Sequence, residues 1–158
     1  MKTRHLYLIA LAIIAADQAT KFAVVSRLPF GYSAPVIGVA VHITVVRNSG
    51  GAFGLFQPFA GILAFIALAV IAAIIYLVRR KSPLPGLVQG ALALQLGGAV
   101  GNLIDRFRLG YVVDFIDLRV WPVFNLADSA ITVGVLMLVY HLLFREGCVN
   151  SPDPAEKD

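Results

Sequence analysis

The chain holds one cysteine, Cys148, close to a polar tail. A lone thiol closes no internal disulfide and completes no thiolate metal motif, so cysteine usage leaves the redox compartment unread. Charge is nearly as scarce, with 14% charged residues against 59% hydrophobic. The net charge of +4 is not arranged as a stripe interleaved with aromatics. Instead the basic residues sit in small groups at the ends of apolar runs, which argues against a nucleic-acid surface and suits a membrane protein. No Gly-Lys-Ser/Thr follows Gly97, Gly98 and Gly101, so that cluster is not a phosphate loop. His5, His42 and His141 are scattered and stand beside no Ser or Cys nucleophile, which disfavours a serine or cysteine triad. Without a histidine cluster, a metal site built from Asp114, Asn125 and Asp128 is also disfavoured.

What is present is apolar length. A mean hydropathy of +0.83 exceeds what a soluble fold of this size needs for its core. Runs near Leu6 to Val25, Phe59 to Val78, Leu87 to Ile104 and Phe124 to Phe144 approach the roughly 20 residues that cross a hydrocarbon core. They predict an all-α membrane protein with four transmembrane helices. Residues 1–145 form a single domain in this reading, and 146–158 a disordered polar tail. Lys2 and Arg4 ahead of the first run give it the look of a signal peptide. The apolar character resumes after Asp17 with Phe22, Val24 and Val25, so it reads as an uncleaved span.

Arg79-Arg80-Lys81, followed by Pro83 and Pro85, marks a short cationic loop. With Lys2 and Arg4 it places both termini on the cytoplasmic side. Residues 26–58 are too long for a tight turn and contain VHITVV, Val41 to Val46, which reads as strand within a small extracytoplasmic β-element. In the third run, Gly90, Ala91, Ala93, Gly97, Gly98 and Gly101 are spaced for close helix approach in lipid. Gly110 then breaks the helix, and YVVDFIDLRVW alternates as an amphipathic segment at the membrane surface, with Trp121 at headgroup level.

Four of the nine acidic residues, Asp105, Asp114, Asp117 and Asp128, lie between Gly101 and Ala130. Asn125 and Asp128 read first as a helix cap, N-cap and N3 of a capping-box variant. The cap leaves Asp128 unexplained, because an acid at the start of an apolar span costs on the order of 3 kcal/mol even on the gentler insertion scales. Asp114 precedes it by fourteen residues, and a surface segment that folds back brings the two carboxylates across one site. Like-charge repulsion would then leave them sharing a proton, the arrangement of a water-activating acid and base. The helix N-terminus favours the ionised form of Asp128, which leaves the proton on Asp114. Asp105 with Arg106 reads as a surface ion pair, Arg106 equally as a phosphate or carbonyl ligand. Asp117 with Arg119 reads as a solvated face, and Asp17 with Lys21 as an i, i+4 pair.

Five short motifs occur in order: Asp17-Gln18-Ala19-Thr20-Lys21, Arg47 to Phe53, Gly101-Asn102-Leu103-Ile104-Asp105-Arg106, Val112-Val113-Asp114-Phe115-Ile116, and Phe124-Asn125-Leu126-Ala127-Asp128. In this order they resemble the lipoprotein signal peptidases, signal peptidase II, over nearly the whole chain before Arg145. The resemblance implies an aspartic endopeptidase of the bacterial inner membrane, with Asp114 and Asp128 catalytic. It implies site-shaping roles for Asp17, Lys21, Asn48, Gly50, Asn102, Arg106, Asn125 and Ala127. It implies no metal or organic cofactor, a diacylglyceryl-modified prolipoprotein as substrate, surrounding membrane phospholipid, a monomer, and an active site near the outer face. Gly51 departs from the family, which more often has Ala there. A small proton-coupled transporter or channel is the rival; it predicts acids at mid-depth in several spans and an inverted repeat, and the acids here gather at one edge.

Overall fold

The computed structural model describes residues 3–49, 60–80 and 84–144. Four long helices lie in it: α1 (Thr3–Val25), α2 (Ala60–Arg79), α3 (Gly86–Leu109) and α4 (Leu126–Phe144). All four are long and apolar enough to cross a membrane. Three strands accompany them: β1 (Ser33–Ile37), β2 (Val41–Asn48) and β3 (Val112–Asp117).

The helices differ in what surrounds them. The apolar window of α3 is 61% buried inside the protein, and that of α2 only 6%. Helix α3 is therefore the hub, packed against α1, α2 and α4, while α2 turns most of its surface to lipid. Its small residues permit this. A Cβ on Gly97 would stand 2.7 Å from Ile13 Cβ, and one on Gly134 of α4 2.7 Å from the Ala91 carbonyl oxygen. The expected role of the small residues as close-packing positions is met. Leu6 and Ala10 of α1, Ile74 of α2, and Leu92, Ala93 and Leu96 of α3 form the buried apolar cluster. Phe22, Phe65 and Phe144 are exposed, as residues facing acyl chains should be.

Helix α3 runs five residues beyond the expected end at Ile104 and stops at Leu109, where Gly110 takes the left-handed conformation (φ 80°) and donates its N–H to the Arg106 carbonyl. Asp105 and Arg106 therefore lie inside the helix. The chain then enters β3. The expected amphipathic surface segment is, over Val112–Asp117, a strand whose residues are buried on nearly every position. It pairs antiparallel with β2, which pairs antiparallel with β1. Alternation alone could not reveal that β2 supplies the missing partner from 64 or more residues upstream. Only the last part, with Val120 and Trp121 exposed, keeps the surface character expected of it. Phe124 returns to β3, exchanging backbone hydrogen bonds with Ile116 at 2.8 and 3.0 Å. This return sets Asn125 opposite Asp114 at the head of α4.

Candidate active site

A buried charge cluster anchors the site from α1. Lys21 Nζ lies 2.9 Å from Asp17 Oδ2 and 2.9 Å from Asp105 Oδ2, and all three residues are almost inaccessible to solvent. Gln18 Nε2 donates to Asp105 Oδ1 at 3.0 Å and to the Gly101 carbonyl at 3.2 Å. In an apolar span such charges persist only when paired and hydrogen-bonded, and here each one is. The i, i+4 pair of Asp17 and Lys21 is present as expected. Asp105 is not: it pairs with Lys21 rather than Arg106, and its Oδ2 accepts the Val113 N–H at 3.1 Å, fixing the start of β3.

From this cluster two bonds reach α4 and its acid. The Ala127 N–H donates to Asp17 Oδ1 at 3.0 Å, so α1 satisfies an otherwise orphaned amide of the first turn. Lys21 Nζ donates to Asn102 Oδ1 at 3.0 Å, and Asn125 Nδ2 donates to the same oxygen at 3.1 Å. With that oxygen occupied by two donors, the Asn102 amide group points the other way, and its Nδ2 donates to Asp128 Oδ1 at 2.7 Å.

The expected cap at the head of α4 is formed. Asp128 N–H donates to Asn125 Oδ1 at 2.9 Å, and Asn125 N–H donates to Asp128 Oδ2 at 3.3 Å, a reciprocal capping box. Asn125 does more than cap, because its Nδ2 also donates to Asp114 Oδ1 at 2.7 Å. Asn48, at the end of β2, donates its Nδ2 to Asp114 Oδ2 at 2.7 Å. Asp114 and Asp128 are thus joined through the two amides, Asn125 and Asn102.

Asp114 is pushed up to about 7, chiefly by burial and then by the charge of Asp128; the hydrogen bonds from Asn48 and Asn125 and the charge of Lys21 work against the rise. Beside the pair lies a cavity of about 170 Å³, with Asn48, Asn102, Arg106 and Asp128 on its polar side and Trp121 and Phe124 on its apolar side. Arg106 Nη1 reaches the Asn102 carbonyl of its own helix at 3.4 Å, and its guanidinium faces the charges of Asp128, Asp114 and Asp105. The arrangement offers one acid able to hold a proton near neutrality, a second acid held by donors, and a cation beside a small polar chamber. That set can activate water and polarise a carbonyl.

Of the residues expected at a site, Asp17, Lys21, Asn48, Asn102, Arg106, Asp114, Asn125, Ala127 and Asp128 come together; Gly50 lies outside the described residues. Asp117 does not form a solvated face. It is buried, accepts from Thr44 Oγ1 at 2.7 Å, and is held below the usual carboxylate range first by that bond. Its contact with Arg119 at 3.3 Å is secondary. Gln18 was not singled out by the sequence as a site residue. The available signal was its position between Asp17 and Lys21 in an apolar run, four polar side chains within five residues.

A model of the family described as signal peptidase (SPase) II matches residues 9–144. A lipoprotein signal peptidase of Moorella thermoacetica is 49% identical, covering 89% of this chain and 93% of the relative; that of Bacillus subtilis is 43% identical, covering 89% and 94%. A solved bacterial membrane enzyme structure superposes with a TM-score of 0.87 at 32% identity, covering 94% of this chain and 93% of the other. The chain is a multi-pass membrane protease and belongs to the signal peptidase II family.

Proposed function

We propose that Asp114 and Asp128 are the catalytic pair of this peptidase, and that it removes signal peptides from diacylglyceryl-modified prolipoproteins by cleaving before the lipidated cysteine. The observation that carries the pair is the bridge Asp114–Asn125–Asn102–Asp128. Asp128, oriented by Asn102 and by the Asn125 backbone at the head of α4, acts as the general base and takes a proton from water. Asp114 donates a proton to the scissile carbonyl oxygen as the hydroxide adds, and the tetrahedral intermediate collapses with proton transfer to the leaving amine. Arg106 supports the peptide carbonyls. The edge of the β1–β2–β3 sheet holds the peptide extended through main-chain hydrogen bonds.

The relatives named lipoprotein signal peptidase support the substrate class. The acids gather at one end of α3 and α4, where a lipid-anchored amide meets the membrane surface. With the Arg79-Arg80-Lys81 loop on the cytoplasmic side, both termini lie inside and the site faces outward. One chain supplies every member of the bridge, which supports action as a monomer within phospholipid. Family membership removes the transporter reading.

Mass-spectrometric mapping of cleavage tests this directly. A prolipoprotein carrying diacylglyceryl on its cysteine is expected to be cut immediately before that residue. An uncut substrate, or a cut elsewhere, would overturn the assignment.

A further inference from the structure

A second, larger cavity, about 380 Å³, opens on the other side of Asp128. It is lined by Leu118, Trp121, Phe124, Ser129, Thr132 and Val133 together with Asp128. Trp121, Phe124 and Asp128 also line the smaller polar chamber, so the two cavities meet at the acid. Their characters differ. The small one carries Asn48, Asn102 and Arg106, whereas the large one has no cation among the described residues and is mostly apolar. Of its polar residues, Ser129 turns its hydroxyl back to the Asn125 carbonyl at 3.0 Å.

The direction of the large cavity is set by α4. Asp128, Ser129, Thr132 and Val133 share one helical face, and Thr132 lies about 6 Å further along the axis than Asp128. The groove therefore runs from the acid into the span. Leu136, one turn further on the same face, is 61% exposed and Val133 48%, so the groove opens sideways to the bilayer rather than ending in a wall. Trp121, which lines it, is largely exposed, and an aromatic there suits the headgroup level.

We infer that this groove is the seat of an acyl chain of the substrate. The inference rests on the prolipoprotein reading above. A chain attached one residue from the scissile bond must leave the acid within a few ångströms, and an apolar groove descending from Asp128 lets it do so without leaving hydrocarbon. The signal peptide helix is the other apolar part of such a substrate. That segment is joined on the other side of the scissile bond, ahead of the cysteine, so it leaves the acid along a different path. Polar and apolar parts of the substrate thus separate at Asp128, the peptide backbone toward Arg106 and the chain toward Thr132. Thr132 and Val133 become specificity-determining positions for chain length.

Two measurements on the full chain in detergent test this. In the first, the wild type is photolysed with a diacylglyceryl peptide bearing a diazirine near the acyl terminus, and with one bearing it in the signal segment. The acyl probe is expected to label residues of 118–133; labelling there by the signal-segment probe, or of α2 by the acyl probe, would overturn the inference. This reading does not require cleavage, so failure of the peptidase assignment shows separately as an uncut substrate. In the second, kcat/KM is compared for dihexadecanoyl and dibutanoyl substrates. Thr132→Phe is expected to lower the long-to-short preference about tenfold. An equal fall for both, or an unchanged preference in a folded variant, would contradict it.

Discussion

Lys21 Nζ donates to Asn102 Oδ1 at 3.0 Å, and this bond decides which way the Asn102 amide faces. An amide whose oxygen is occupied by a buried ammonium presents its NH₂ to Asp128. A lysine on α1 thereby governs the hydrogen bonding of an acid on α4 without touching it.

Replacing Lys21 by Met leaves Asp17 and Asp105 buried without their cation, a loss of about 3–5 kcal/mol. Thermal unfolding in detergent should show it directly. Lys21 also holds Asp114 down, so its removal raises Asp114 further above its ordinary range. If Asp114 must carry the proton, the alkaline limb of the rate profile moves to higher pH in any variant that remains folded, Lys21→Arg excepted.

Asp114, at about 7 in the folded protein, titrates near 3.9 in the unfolded chain. The folded state therefore binds this proton more tightly. The stability it contributes is full below about pH 4 and is lost as pH rises through 7. Wild-type unfolding temperature should fall over that window by more than that of Asp114→Asn, measured in the same detergent. Activity should fall as pH rises through about 7, where the acid loses its proton. An activity plateau extending well above pH 7 would contradict this role.

Asp117 is shifted the opposite way. Its bond from Thr44 keeps it ionised, so that contribution is present above the unfolded value near 3.9 and is lost as pH falls through the lower folded value. Thr44→Val should destabilise the protein by about 1 kcal/mol at neutral pH. Denaturant or thermal unfolding should show a smaller effect in acid.

Gly98 sits where α3 meets the start of α4. A Cβ there would lie 2.8 Å from Ile131 Cγ1 and press on the Ala127 carbonyl, one residue before Asp128. Gly98→Ala should cost about 1–3 kcal/mol and lower kcat more than it raises KM, because it displaces the acid rather than the substrate. Steady-state kinetics beside a thermal melt would separate the two effects.

The spans were legible because lipid demands long apolar runs, and the capping box was legible because its two members are three residues apart. The strand VHITVV was legible from its β-branched residues. Asp105 and Asp117 were misread for a common reason. Both follow or interrupt apolar stretches and have an arginine close in sequence, yet their partners, Lys21 and Thr44, are 84 and 73 residues away. Local charge pairing is visible in a sequence, whereas a partner brought in by helix packing or strand register is not. β3 was read as a surface segment on the same ground, since its hydrogen-bonding partner lies on β2.

The cooperation of Asp114 and Asp128 is tested most directly by cleavage kinetics of the wild type, Asp114→Asn, Asp128→Asn and the double variant, each checked for folding. If the two act as one unit, either single change should lower kcat by at least about 10³-fold, and the double change should cost little more than one alone. Folded single variants that retain cleavage, or losses that multiply in the double variant, would show that the two acids do not share the chemistry.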